Sequence, residues 1–200
     1  MAKNVGENAR DTLIGVGTDL FRRTGYVATT VDEICTTAGL TKGAFFHHFP
    51  TKEALAEACL RNWQEQMAGL HRSAAYQAIS DPTEKVLASI DFMIEIFANP
   101  DVHKSCLAGT TVQGVSETNP VLRDAAQVCF VKGQAYFQSL LDDACRARKL
   151  SLETASLAEH WMSTMQGSLL LTKASRDPSV IGRNLTHFKT YLAGLLKDEH

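Results

Sequence analysis

GLTKGAFFHHFPTKEAL, Gly39–Leu55, crowds three phenylalanines and two adjacent histidines into Phe45–Phe49, with Lys42 and Lys52 on either side. Three chemistries compete for such a segment. Histidines that chelate from one helix stand at i and i+4, whereas neighbours such as His47 and His48 point about 100° apart and do not readily share an ion. A histidine base needs a nucleophile and an orienting group, and no Ser or Cys elbow accompanies these two. The third chemistry fits mechanically. Two short helices joined by a tight Gly-Leu turn make a helix-turn-helix, whose second helix enters the major groove and reads base edges near its N-terminus.

That N-terminus is Thr41-Lys42-Gly43-Ala44. It offers a hydroxyl, a cation and two small residues, and Ala44 suits a thymine methyl. Thr30 and Lys52 begin the flanking helices and are placed to hold the DNA backbone on either side. Phe45 and Phe49 read as core anchors, Phe46 and His47 as the exposed pair. By periodicity alone, a small three-helix subdomain with a solvated charged face is the bland alternative.

Working outward, helical spacing appears almost everywhere and strand signals are poor. The expected helices are Glu7–Thr24, a short one capped by Thr30 and Glu33 and ended by Gly39, and a third from Thr41 to His48. A long fourth opens at Thr51. Pro82–Ala98, a weak element over 102–113, Pro120–Ala147, Leu152–Ala174 and Pro178–Leu196 follow. The fold class is therefore all-α, about nine helices. A three-helix helix-turn-helix domain over 1–52 precedes a helical bundle over 53–200. The last two long helices are apolar over broad faces, which implies burial on more than one side and a second copy of the chain as the simplest partner.

The 200 residues carry a formal net charge of −2, so nucleic-acid binding must come from a local patch. Residues 1–52 hold six Lys/Arg against five Asp/Glu, and the remainder 14 against 17. The asymmetry has the right sign but is small. The opening MAKNVGENARDTLIG lacks the apolar core of a secretory signal, and no window has the length of a membrane span, so a cytoplasmic protein is expected. Five widely spaced cysteines without a CxxC argue against a disulfide framework or a zinc knuckle. No cofactor is called for.

TTVDEICTTAGLTKGAFFHHFPTKEAL, Thr29–Leu55, resembles the DNA-binding segment of TetR-type transcriptional repressors. The likeness lies in the helix caps, the Ala38-Gly39 turn, Lys42-Gly43, His48-Phe49 and Lys52-Glu53. Leu20-Phe21 and Gly25-Tyr26 upstream extend it to about 45 residues. Beyond residue 55 only the layout agrees. The resemblance implies a homodimer, paired through the last two long helices, on a near-palindromic double-stranded operator. It also implies release when a small-molecule inducer enters the C-terminal domain. By position it assigns DNA contacts to Thr30, Thr41, Lys42, Gly43, Ala44, Phe46, His47 and Lys52. Two departures stand out: the family usually has Tyr where this chain has Phe46, and often Tyr where it has His47. Phe46 cannot donate a hydroxyl hydrogen bond to phosphate. His47 can donate, and gains charge when protonated, so the phosphate contact is expected one residue along and strengthened at lower pH.

For the ligand end, Phe92, Phe97, Phe130, Phe137, Trp161, Met165 and Gln166 are candidate pocket walls. Aromatics and Met at helical spacing equally describe a bundle core. Gly167, in mid-helix, suggests a close helix approach or a pocket wall. Cys106 follows His103 and Lys104, and cations stabilise a thiolate, so Cys106 is a candidate reactive thiol. Some members of the resembled family sense electrophiles or oxidants through a cysteine; a buried inert thiol is the competing reading. The alternative function is an all-helical small-molecule-binding protein or thiol-dependent enzyme without DNA binding. Against it, the sequence holds no convergent catalytic set, so no enzyme activity is expected.

Overall fold

The computed structural model describes residues 5–99 and 105–197. Among these residues the regular structure is helical: α1 Val5–Thr24, α2 Val31–Ala38, α3 Lys42–His48, α4 Lys52–Ser73, α5 Pro82–Ala98, α6 Leu107–Val115, α7 Pro120–Arg148, α8 Thr154–Ser175 and α9 Ser179–Leu195. A single 3₁₀ turn, Ala75–Ala78, follows α4 and was not foreseen. The weak element expected over 102–113 is realised as α6, which starts after Cys106. His103 and Lys104 lie outside the described residues. No helix among the described residues is long and apolar enough to cross a membrane.

The chain divides into two compact units, Met1–Ala68 with Cys106–Cys129, and Gly69–Ser105 with Phe130–His200. This division differs from the expected one at residues 52 and 53. The reason is that α6 packs on α1, so the short α6 joins the N-terminal helices.

In the first unit α1 supplies Leu13, Leu20 and Phe21 to a core completed by Ile34 of α2, Phe45 of α3 and Leu55, Cys59 and Leu60 of α4, all nearly or fully buried. Gly17 lets α1 and α4 come close: a Cβ there would sit 3.1 Å from both Cys59 Sγ and Leu55 Cδ2. Arg22 is buried here, its guanidinium 4.5 Å from the Trp63 ring centroid. Burial lowers its pKa, and Asp19 and Cys106 oppose that shift.

The second unit is built on α8 packed against α9 and α9 against α5. Phe137 of α7 stacks on Trp161 of α8 with centroids 4.9 Å apart, and Phe188 of α9 lies 5.3 Å from Trp161. Lys189 of α9 donates to Asp91 of α5 at 2.6 Å.

Candidate nucleic-acid interface and effector unit

The α2–α3 unit is set by three local devices. Thr30 caps α2 in an extended conformation, its hydroxyl accepting from Glu33 N–H at 3.1 Å. Gly39 ends the helix with φ 65°, in the left-handed region that a residue with a Cβ enters only at a cost. Its N–H donates to Thr36 O and that of Leu40 to Cys35 O, satisfying the last carbonyls of α2. Thr41 then caps α3, accepting from Ala44 N–H at 3.1 Å.

These devices fix which face of α3 is buried. Phe45 is fully buried and Phe49 nearly so, while Thr41, Lys42, Gly43, Phe46 and His47 are exposed and Ala44 is half-exposed. A Cβ on Gly43 would touch only Thr41 Oγ1, at 3.7 Å, so the outer face is open there. Phe46 is 53% exposed although its ring edge meets Phe45, which marks it as a surface apolar group and not a core anchor. His47 and His48 meet edge to face at 4.9 Å. Among the described residues no group of three or more His, Cys, Asp or Glu is arranged to hold a metal ion.

Lys52 departs from its expected role. Its ammonium turns inward and donates to Tyr26 O at 2.8 Å and Thr29 O at 2.7 Å, over the Tyr26 ring at 4.2 Å. Burial lowers its pKa. The same loop is tied by Thr29, fully buried, which bonds Gly25 O and the Thr24 hydroxyl. Lys52 thus positions the entry to α2, and through it Thr30, instead of reaching outward. Lys42 has a partner that sequence reasoning missed: Asp32, in the first turn of α2, whose carboxylate lies 2.6 Å from the ammonium.

Of the ligand candidates, Cys106 belongs to the first unit and the other seven to the second. Cys106 stands at the start of α6, half-exposed. Phe97, Phe137, Trp161 and Met165 are buried side chains of the second unit, and two of them stack on each other. Phe130 is half-buried. Gln166 donates to the Met162 sulfur at 3.8 Å. Gly167 is exposed with open space where a Cβ would go, so of the close helix approach or pocket wall suggested there, no close approach is made within this chain; a Cβ on Gly133 would instead sit 3.0 Å from the Met162 methyl.

Phe92 belongs to a group that periodicity could not reveal. His71, Tyr76 and Phe92 have ring centroids about 5.5–6.1 Å apart, with Tyr136 4.8 Å from His71. Gln77 donates one amide hydrogen to His71 O and the other to Tyr136 Oη, each at 2.8 Å. Tyr136 is then free to donate to Tyr76 at 2.7 Å, and Tyr76 to His71 Nδ1 at 2.6 Å. The chain runs one way and ends on a neutral imidazole, in keeping with burial that holds the His71 pKa down at about 4. The Tyr76 hydroxyl is pushed well above the usual phenol range, first by burial and then by Tyr136.

Comparison with known proteins finds two family matches along the chain. Residues 13–59 match the family described as bacterial regulatory proteins, tetR family. Residues 82–188, more than half of the chain, match the tetracyclin repressor-like C-terminal domain. The HTH-type transcriptional repressor DhaR of Mycobacterium sp. (strain GP1) is 24% identical over 179 residues, 88% of each chain. The HTH-type transcriptional regulator QacR of Staphylococcus aureus is 41% identical over 63 residues, 30% of this chain and 34% of that one. A TetR transcriptional regulator from Chloroflexus aurantiacus J-10-FL superposes with a TM-score of 0.82 at 23% identity, covering 94% and 95% of the two chains, which establishes the fold. These relatives are transcriptional regulators and not enzymes. With a capped helix-turn-helix at one end and a matching C-terminal domain at the other, the chain belongs to the TetR family of transcriptional regulators, whose N-terminal domain binds DNA and whose C-terminal domain binds ligand.

Proposed function

We propose that the protein is a cytoplasmic repressor that binds a near-palindromic operator as a homodimer and leaves it when a small molecule enters the C-terminal domain. The observation that carries the reading is the division of α3 into a buried Phe45/Phe49 face and an exposed Thr41–Ala44 start. Anchoring by two buried rings presents that start as a rigid edge. Thr41, Lys42, Gly43 and Ala44 meet the major groove, with Thr30, Phe46 and His47 flanking them on the DNA backbone. Lys52 acts through Thr29 and Thr30 and not by its own charge.

The dimer reading is supported by Leu170 and Leu171 on α8 and Tyr191 on α9, large apolar side chains each about half exposed on two helices whose inward faces are buried. A second copy covers them. In the effector unit, Phe92 stands with the polar groups of Tyr136 and His71, and Gln166 adds a further amide to the proposed wall. The chain has no enzymatic role in this reading.

The test is selection of bound duplexes from random DNA, followed by Lys42→Ala on the recovered sequence. Weaker binding with an unchanged oligomer and melting curve is expected. Recovery of no preferred sequence would refute the reading.

A further inference from the structure

We propose that Asp32 sets the operator affinity by acting as an internal competitor for Lys42. This rests on the reading of the α2–α3 face as the DNA surface and adds a residue to it. Asp32 stands in the first turn of α2 and Lys42 opens α3, and across the turn at Gly39 their side chains meet. Their charged atoms are 2.6 Å apart, with side chains 66% and 61% exposed. A wet pair of this kind adds little to folding. Its consequence lies in what the ammonium can still do. The carboxylate hydrogen-bonds the ammonium and stabilises its charged form, so the cation is present but already neutralised.

Any phosphate or base acceptor that meets Lys42 must share it with Asp32. A phosphate placed against Lys42 also lies within the roughly 8 Å over which salt leaves charges unscreened. Two like charges about 5 Å apart in water cost about a fourfold factor in binding. Lys42 is therefore a throttled contact: the acid lowers affinity for every duplex, and only sequences that give α3 further contacts bind well.

The experiment compares wild type, Asp32→Asn, Lys42→Ala and the double variant by fluorescence anisotropy on the selected duplex, from roughly 50 to 200 mM salt. Asp32→Ser, which keeps a residue suited to the first turn, guards against a folding artefact, and melting curves accompany each variant. Asp32→Asn is expected to tighten binding about eightfold at low salt, about fourfold from the lost repulsion of the phosphate and about twofold from the freed ammonium. It should also steepen the slope of log affinity against log salt by up to about one. In the Lys42→Ala background the gain should shrink at least about twofold, because the pair is gone. An equal gain in both backgrounds would assign the effect to net charge and overturn the pairing proposal. Weaker binding by Asp32→Asn would make the acid a positioning partner and overturn it too. If Lys42→Ala itself costs no affinity, the DNA reading fails at this residue and takes the proposal with it. If Lys42→Ala weakens binding but Asp32→Asn changes nothing, the proposal alone fails.

Discussion

The Lys52 ammonium and the Thr29 carbonyl meet at 2.7 Å across 23 residues of chain, so the first residue of α4 holds the segment that leads into α2. Removing the ammonium leaves the Thr29 and Tyr26 carbonyls without their charged donor. Lys52→Met is expected to cost about 1–2 kcal/mol, the value of charged hydrogen bonds discounted for partial exposure. Thermal melting in the absence of DNA checks it. A loss of DNA affinity with no change in melting temperature would instead return Lys52 to the role of a direct phosphate contact.

Gly17 tests the packing of α1 on α4. Alanine at a helix position gains about 1 kcal/mol over glycine in propensity. Here its Cβ would press on Leu55 and Cys59, both fully buried, with little room to give. Gly17→Val, with two further methyls, is expected to destabilise by about 2 kcal/mol or more. Chemical denaturation measures this, and a stabilised variant would contradict the close approach.

His71 predicts a pH dependence of stability. Its pKa is near 4 in the folded chain against an ordinary 6.5, so the unfolded chain takes up the proton first. The contribution is complete above about pH 6.5 and is lost as pH falls toward 4. His71→Gln should flatten this part of the profile. Melting temperatures for the two proteins, recorded from pH 7.5 to pH 4, are expected to converge as pH falls. Parallel profiles would mean that His71 takes up its proton as readily in the fold as in the unfolded chain, which contradicts its burial as a neutral ring.

His47 tests the proposed backbone contact and not folding. Its ring is exposed beside Phe46. His47→Ala is expected to weaken binding to the selected duplex about fivefold, the loss of one hydrogen bond to phosphate, with an unchanged melting curve. Equal affinities of the two proteins would rule out the contact.

The helix-turn-helix was legible because its determinants are local. Thr30, Gly39 and Thr41 fix helix ends through bonds made within five residues, and the exposure of Phe46 and His47 follows from the register those ends impose. Lys52 could not be read, because its carbonyl partners are 26 and 23 residues away. The same holds for Tyr76 and Tyr136, 60 residues apart in sequence and joined hydroxyl to hydroxyl. Asp32 was missed for a different reason. Its charge suits the first turn of α2, which gives it a sufficient local explanation and hides its reach to Lys42. In the bundle, periodicity marked Phe137 and Trp161 as inward residues but could not distinguish a wall of a cavity from two rings stacked on each other.

The cap at Thr41 joins two tasks of opposite polarity in one oxygen. A lone pair points inward to the Ala44 N–H and starts the helix, which leaves the hydroxyl hydrogen to point outward as a donor. Aspartate at the same place would start the helix as well but carry no hydrogen, and it would turn a negative charge toward the phosphates. A single carboxylate there would therefore silence the surface while the scaffold beneath it stayed whole.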